Sequence, residues 1–308
     1  MVISRLAYVA LGAGQLDRML AFYGAVFGVV EVERRDGVVY LAGGKTGAFD
    51  LALGPWPSGM DRFAFAVQGP SDLADARRRL AGAAVATTDL AAGCVPGVED
   101  GVRFVLPSGH VMELVVESAP EVFRLTPRID VRHHAGIGPV PLEHLTMNCG
   151  DVQQTASFLI ETLDLRLSES VRPTDGDWFN AFLRCRDRHH DIAFFADPGG
   201  DVPSLNHFCY AVPSVQDLVR VADIAASLGV PLDSSPGRHV NGNNIFIYLK
   251  DPDGNRVEVN TDMAEIDPAA PPRVTDEMRF DAWREGIPPD MLTASPCRDG
   301  RITASRSR

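Results

Sequence analysis

Two histidines and one glutamate in the second half of the chain are of the residue types that hold a divalent metal. His144 stands in LEHLTMN and His207 in LNHFCYA, each at the start of a short strand pattern. Glu258 stands in NRVEVNTD, in a later strand pattern. Two imidazoles and one carboxylate on neighbouring strands can occupy one face of a metal and leave three positions open, as in Fe(II) oxygenases. These three residues are therefore the predicted metal ligands.

An internal repeat supports this prediction, because His144 and His207 occupy corresponding places in it. Each copy has a short strand pattern, a polar turn and then apolar residues at helical spacing. Later segments of each half resemble β-hairpins with a glycine in the turn. The corresponding segments are 61–67 with 206–212, 101–117 with 243–262, and 6–30 with 142–166.

The first half of the chain serves as an internal control for the metal ligands. Arg62 stands where the second half has His207, and the position near Tyr8 corresponds to His144. Glu113 corresponds to Glu258, since the same number of positions separates each pair of equivalents. The first half keeps the strand pattern without the imidazoles, so we expect it to be structural and metal-free.

These repeats predict an α+β chain of four modules, each with one strand, one helix and further strands. The modules cover about 1–55, 60–118, 140–198 and 205–262. Paired modules give an N-terminal domain over 1–118 and a metal-binding domain over 140–262. The stretch 119–139 is rich in Pro, Arg and His and is expected to be a linker. The tail 263–308 is polar towards its end, which we expect to be disordered.

Further polar and aromatic side chains surround the predicted ligands in the sequence. His190 enters the strand pattern DIAFF, His239 lies in SSPGRHVNGNN, and Tyr248 lies in IFIYLKDPDGN. Taken singly, they would be a polar loop, an exposed loop histidine and a cross-strand aromatic. In DWFNAFLR, strand alternation puts Trp178 and Phe182 on one face, where they line a pocket or pack in the core.

The segment Gly237–Glu258, GRHVNGNNIFIYLKDPDGNRVE, resembles the signature of the type I extradiol dioxygenases. In that signature a His is followed by an apolar residue and Tyr, an acidic residue and Pro, a Gly and the ligand Glu. The matching residues are His239, Ile247, Tyr248, Asp251, Pro252, Gly254 and Glu258. The four-module plan also resembles this family, which lies within the vicinal oxygen chelate (glyoxalase-like) superfamily, with βαβββ modules.

The resemblance implies an activity: Fe(II)- and O2-dependent cleavage of a catechol ring next to its two hydroxyls, giving a ring-opened semialdehyde. It implies that His190 is the acid–base group, and that His239 and Tyr248 donate to substrate oxygens. His190, His239, Tyr248, Trp178 and Phe182 are then the expected substrate-binding residues. It also implies a homo-oligomer that takes part in aromatic hydrocarbon catabolism.

Other functions stay open on the sequence alone. One is a metal-dependent lyase or isomerase of the same superfamily, such as a glyoxalase, which commonly uses four ligands. Another is a binding protein on the same fold, which has no need of the ligand triad. Ring cleavage with Mn(II) is a third alternative, because oxygen and nitrogen ligands suit both metals.

Composition excludes several partners. The formal net charge is -12 among 308 residues, which argues against a nucleic-acid-binding surface. No apolar run approaches the roughly 18 residues of a membrane-spanning helix, and the N-terminus lacks the features of a signal peptide. The five cysteines have no paired spacing, so reduced thiols and a cytoplasmic location are expected.

Overall fold

The computed structural model describes residues 1–43, 49–118, 136–138, 142–173, 176–197, 202–284 and 294–301. Within them the first half of the chain forms one eight-stranded sheet with two helices. Its elements are β1 (Ile3–Gly12), α1 (Leu16–Phe27), β2 (Val30–Arg35), β3 (Val38–Ala42), β4 (Leu51–Gly54), β5 (Gly59–Val67), α2 (Pro70–Gly82), β6 (Thr87–Leu90), β7 (Val98–Val105) and β8 (Val111–Glu117).

The second half forms a ten-stranded sheet with two further helices. Its elements are β9 (Leu142–Cys149), α3 (Val152–Leu163), β10 (Arg166–Val171), β11 (Asn180–Arg184), β12 (Ile192–Ala196), β13 (Ser204–Ala211), α4 (Val215–Ser227), β14 (Leu232–Arg238), β15 (Ile245–Lys250), β16 (Arg256–Thr261), β17 (Arg273–Thr275) and β18 (Ser295–Pro296).

Each quarter of the chain is a βαβββ module, so the predicted fold class is confirmed. The first strand of each module pairs in parallel with its last strand, as β9 does with β12 and β13 with β16. Modules join in pairs through their first strands, which run antiparallel, β1 to β5 and β9 to β13. The central strands of the second sheet are therefore ordered β16-β13-β9-β12.

The helices of the second half follow directly from local sequence. Asp151 caps α3, where its side chain accepts a hydrogen bond from the backbone N–H of Gln154 at 2.8 Å. Ser214 caps α4 in the same way, from the N–H of Asp217 at 3.3 Å. The buried residues of each helix recur at spacings of three and four, which gives one apolar face towards the sheet.

Strand alternation separates an apolar face from a polar face in the second sheet. In β9 the residues Leu145 and Met147 belong to the apolar core, whereas the intervening His144 and Thr146 line a pocket on the opposite face. The same alternation puts Val257 and Val259 of β16 in the core on either side of Glu258. One apolar cluster contains residues of both halves of the chain, and two smaller clusters lie apart from it. Among the described residues no helix is long and apolar enough to cross a membrane.

The chain after β16 contributes to the second sheet, because β17 pairs with β10 and β18 pairs with β13. The domain bounds 1–118 and 140–262 stay a prediction. Of the predicted linker only 136–138 lies among the described residues, and the last seven residues of the tail, 302–308, lie outside them.

A buried hydrogen bond between the two halves provides a stability test. Tyr23 of α1 donates its hydroxyl to the Asp251 carboxylate at 2.8 Å, and both side chains are buried. Tyr23→Phe should lower the free energy of unfolding by about 1–3 kcal/mol, because a buried acceptor loses a donor. Tyr210→Phe is the matched control, since that buried hydroxyl has no hydrogen-bond partner among the described residues. Urea denaturation measures both variants, and equal losses would contradict the assignment.

Candidate metal centre

His144, His207 and Glu258 converge because their strands are neighbours with fixed register. Cys209 of β13 stands opposite His144 of β9 on one side and opposite Glu258 of β16 on the other. His207 lies two positions before Cys209, so strand alternation turns it to the same face of the sheet. All three side chains are buried.

The three donor atoms are as close together as a shared metal requires. His144 Nε2 lies 3.3 Å from His207 Nε2 and 3.1 Å from Glu258 Oε2, and His207 Nε2 lies 2.9 Å from the same oxygen. Two ligand atoms about 2.1 Å from one metal and at right angles to each other lie about 3.0 Å apart. The donor set therefore fits one divalent ion bound on one face.

Asparagines orient two of these groups from behind. Asn206 Oδ1 lies 2.8 Å from His207 Nδ1, so this nitrogen carries the proton and Nε2 keeps its lone pair for a metal. Asn244 donates its side-chain N–H to Glu258 Oε1 at 3.0 Å. Oε1 of Glu258 thus accepts from the Asn244 amide, and Oε2 faces the two histidines.

His144, His207 and Glu258 are buried together, and their pKa values decide which of them holds a proton when no metal is bound. Burial disfavours charge on His144, but the carboxylates of Glu258 and Glu143 outweigh it and raise its pKa to about 9. Burial lowers the pKa of His207 to about 4. Burial alone would raise the pKa of Glu258, but His144 and His207 outweigh it and hold this pKa well below the usual range. Without a metal, the proton therefore resides on His144.

A cavity opens beside the three groups. His190 lies against His144 with ring centroids 4.3 Å apart, and Phe182 packs edge-on against His190 at 5.1 Å. His239 Nε2 lies 3.1 Å from the Tyr248 hydroxyl. The residues lining the cavity are His144, Thr146, Phe182, His190, Phe195, His207, His239, Asn241, Tyr248, Glu258 and Phe280.

Burial sets the protonation of two of these side chains. It lowers the pKa of His190 well below its ordinary value, so this imidazole is neutral and can accept a proton. Burial, reinforced by Glu258, raises the pKa of Tyr248 well above 10, so this phenol keeps its proton and can donate a hydrogen bond. The pocket thus offers one acceptor or base and one donor beside the metal ligands.

One residue expected to bind substrate, Trp178, packs against the core and not at the pocket wall. Trp178 lines neither this cavity nor the adjoining one among the described residues. The strand begins only at Asn180, so alternation does not extend back to Trp178. The indole instead stacks on Arg172, whose guanidinium carbon lies 3.6 Å from the ring centroid. Phe182, on the strand itself, does line the cavity.

Sequence reasoning also missed parts of the pocket wall. Phe280, from the segment after β17, packs against His239 with ring centroids 4.6 Å apart. Asn241, to which the sequence assigned no role, lines the cavity and donates to Glu169 at 2.7 Å. No local pattern marks these residues, because their place depends on where the chain passes after the last module.

The first half has the same register with different side chains. Tyr8 stands opposite Ala64, and Ala64 opposite Glu113, as His144, Cys209 and Glu258 do. Tyr8 is thus the equivalent of His144 without any slip. Its hydroxyl donates to Glu113, whose Oε1 also contacts Arg62 Nε at 3.2 Å and Arg103 Nε at 2.6 Å. The phenol of Tyr8 and the guanidinium of Arg62 thus occupy the places that the imidazoles of His144 and His207 hold in the second half.

The paired βαβββ modules around an inward-facing His–His–Glu group define a protein of the vicinal oxygen chelate class. Residues 142–259 match the sequence model of the Glyoxalase/Bleomycin resistance protein/Dioxygenase superfamily. Residues 60–119 match that of the catechol 2,3-dioxygenase-like N-terminal domain. Both halves of the chain therefore have relatives in this class.

Individual relatives narrow the class to one family of enzymes. A manganese-dependent 2,3-dihydroxybiphenyl 1,2-dioxygenase of Geobacillus genomosp. 3 is 26% identical, over 83% of this chain and 84% of the relative. An iron-dependent extradiol dioxygenase of Rhodococcus jostii (strain RHA1) is 26% identical, over 87% and 92%. The crystal structure of homoprotocatechuate 2,3-dioxygenase from Arthrobacter globiformis superposes with a TM-score of 0.86 at 26% identity, covering 97% and 94%. Over most of its length the chain is thus similar to type I extradiol dioxygenases, which belong to the vicinal oxygen chelate superfamily.

Metal binding should release a proton, with a pH dependence that the histidines set. His144 has to lose its proton to become a ligand, whereas His207 is already neutral above about pH 4. We expect about one proton per Mn(II) bound at pH 7, and an affinity that rises about tenfold per pH unit up to about pH 9. Titration in weak buffer with a pH indicator measures the release, and the same titration at pH 10 is the control. No proton released at pH 7 would contradict the assignment of His144.

Proposed function

We propose that this enzyme opens a catechol ring next to its two hydroxyls, with O2 and with a divalent metal held by His144, His207 and Glu258. The observation that carries the proposal is the approach of three donor atoms to within 3.3 Å of one another at the wall of a pocket. A ligand set on one face leaves room for two catechol oxygens and dioxygen. The product expected from this cleavage is a ring-opened semialdehyde.

We propose Fe(II) as the metal, with Mn(II) as the alternative. A set of two imidazoles and one carboxylate suits both ions, and relatives of this chain are named as dependent on one or the other. The bound metal would lower the pKa of a catechol hydroxyl and allow dioxygen to react with the substrate. The strands that carry the ligands would hold the metal at the floor of the pocket.

Three further side chains are proposed to act on the substrate. His190, neutral and beside His144, would accept a proton from a catechol hydroxyl and return it later in the reaction. The Tyr248 hydroxyl and His239 Nε2, 3.1 Å apart, would hydrogen-bond to substrate oxygens from the opposite wall. Phe182, edge-on to His190, would pack against the ring. A glyoxalase-type reaction would have no evident use for this set.

An adjoining cavity supports a substituted catechol as substrate. It shares Phe195, His207, Asn241 and Phe280 with the first cavity, so a ring substituent could extend from one into the other. Its other lining residues are Val171, Phe179, Asn180, Asn206, Met278 and Arg279. Because most of this lining is aliphatic or aromatic, we propose an apolar substituent such as a second ring or an alkyl chain.

We also propose an assembly and a cellular location for the protein. The edge strand β2 exposes Val30 and Val32, which supports contact with another copy of the chain and hence a homo-oligomer. The five cysteines are free thiols, which supports work in the reducing cytoplasm. Light scattering of the purified protein measures the assembly.

The activity is tested by loading the protein with Fe(II) without oxygen and then adding O2 and a panel of catechols. We expect a yellow ring-fission product, and metal analysis of protein loaded with Fe(II) or Mn(II) identifies the active ion. His190→Asn should bind the same metal but turn over about 10²–10⁴ times more slowly, the usual contribution of an acid–base group. No product from any catechol, with iron bound, would refute the proposal. Unchanged turnover by His190→Asn would refute the role of His190.

The adjoining cavity predicts that a substitution in its wall changes KM for a substituted catechol but not for catechol itself. Met278 is 46% exposed and lines only that cavity, so Met278→Trp should fill it without disturbing the core. We expect KM for a catechol with a bulky apolar substituent to rise about tenfold or more, with little change for catechol itself. Met278→Leu keeps the volume and is the matched control. An equal effect of Met278→Trp on both substrates would show that the substituent binds elsewhere.

A further inference from the structure

A line of buried polar contacts leads from the pocket towards the edge of the second sheet. His190 Nδ1 lies 3.0 Å from His189 Nδ1, and His189 Nε2 lies 3.1 Å from Glu169 Oε2. All three side chains are buried, although His189 and Glu169 do not line the cavity. Two buried nitrogens at this distance require one of them to donate and the other to accept.

The far end of this line is held by two donors. Glu169 Oε1 accepts from the side-chain N–H of Asn241 at 2.7 Å and lies 3.3 Å from Arg273 Nη1. Glu169 of β10 stands opposite Arg273 of β17 in the sheet, so the backbone register brings the guanidinium to the carboxylate. The two oxygens of Glu169 therefore have different partners, and only Oε2 faces His189.

The positions of the protons follow from what each group can do. A carboxylate only accepts, so His189 Nε2 carries a proton and donates it to Glu169. Arg273 already balances the charge of Glu169, so a neutral His189 leaves the cluster without net charge. The Nδ1 of a neutral His189 is then an acceptor, and the proton between the two imidazoles belongs to Nδ1 of His190.

We propose that His189 and Glu169 are positioning residues that hold His190 in the tautomer with its proton on Nδ1. The lone pair of His190 is thereby on Nε2, the ring nitrogen left free for the pocket. A catechol hydroxyl can donate to this lone pair, whereas the opposite tautomer would present an N–H to the same oxygen. This inference rests on the proposed function only for the identity of the substrate.

Glu169→Gln tests the proposal, because the contacts determine how the new amide lies. Asn241 and Arg273 both donate at the Oε1 position, so the amide oxygen should stay there and the NH2 group should face His189. His189 Nε2 then accepts, its Nδ1 donates, and His190 is forced to carry its proton on Nε2. Nitrogen-15 NMR of the zinc-loaded, diamagnetic protein distinguishes the two tautomers without turnover. We expect His190 to change from the Nδ1–H to the Nε2–H form.

Turnover provides a second measurement. In the iron-loaded enzyme, Glu169→Gln should lower kcat on the order of 10²-fold with little change in KM, because the substrate still binds but the acceptor is turned away. Arg273→Lys is the matched control, since it alters the same cluster but keeps its positive charge and leaves the Oε2 contact with His189 in place. It should keep both the Nδ1–H tautomer and most of kcat.

A second substitution keeps the test independent of how Glu169→Gln folds. His189→Phe keeps the ring shape but removes the acceptor, so His190 should lose its preference for the Nδ1–H form. The proposal is overturned if His190 is Nε2–H in the unmodified protein, or if it stays Nδ1–H in both Glu169→Gln and His189→Phe. An inactive wild-type enzyme with the expected tautomers would instead refute the proposed function and leave the positioning role intact.

Discussion

A carboxylate buried at the centre of the second sheet is the constraint on which the site depends. Glu258 lies on a strand whose neighbours bury it completely, and an unpaired carboxylate there would cost several kcal/mol. The first half meets the same constraint at Glu113 with Arg62 and Arg103, which are permanent cations. The second half uses imidazoles, which can release a proton and accept a metal. One register thus yields a fixed ion cluster in one half and an exchangeable cation site in the other.

The proposed metal ligands and substrate-binding residues come from two modules, so metal binding is expected to be coupled to the pairing of these modules. His144 and His190 belong to the module that begins with β9, whereas His207, Glu258, His239 and Tyr248 belong to the one that begins with β13. A metal that binds only when the side chains of both modules are in place stabilises the state in which the two modules are paired. The Asn206 and Asn244 contacts orient His207 and Glu258 within the second of these modules, so the metal-binding geometry is largely prepared before the ion arrives.

The sequence was most informative where chemistry and repeat coincide. His144 and His207 could be proposed as ligands because they recur at matching places of two modules, and Glu258, His239 and Tyr248 because their spacing matches the extradiol signature that Gly237–Glu258 resembles. The position of Trp178 could not be predicted from strand alternation, because this residue lies just before the strand. Its indole stacks on Arg172, a contact that no local sequence pattern indicates. The contact of His189 with Glu169 could not be predicted from the sequence, because Glu169 lies on another strand, β10, and no local pattern links the two residues.

The predicted metal ligands and the pocket wall formed by Met278 and Phe280 are held in place by different kinds of structure. The predicted ligands lie on central strands, where neighbours on both sides fix them. The wall formed by Met278 and Phe280 lies on a segment without secondary structure that is fastened to the end of β14. Its backbone contacts there are Val240 N–H to the Phe280 carbonyl at 3.2 Å and Ala282 N–H to the Arg238 carbonyl at 2.7 Å. Substitutions in this segment can reshape the space for a ring substituent without moving a ligand, because nothing in the strand register depends on them. If the proposed ligands and pocket wall act as described, reaction type and substrate preference are encoded in separable parts of this chain.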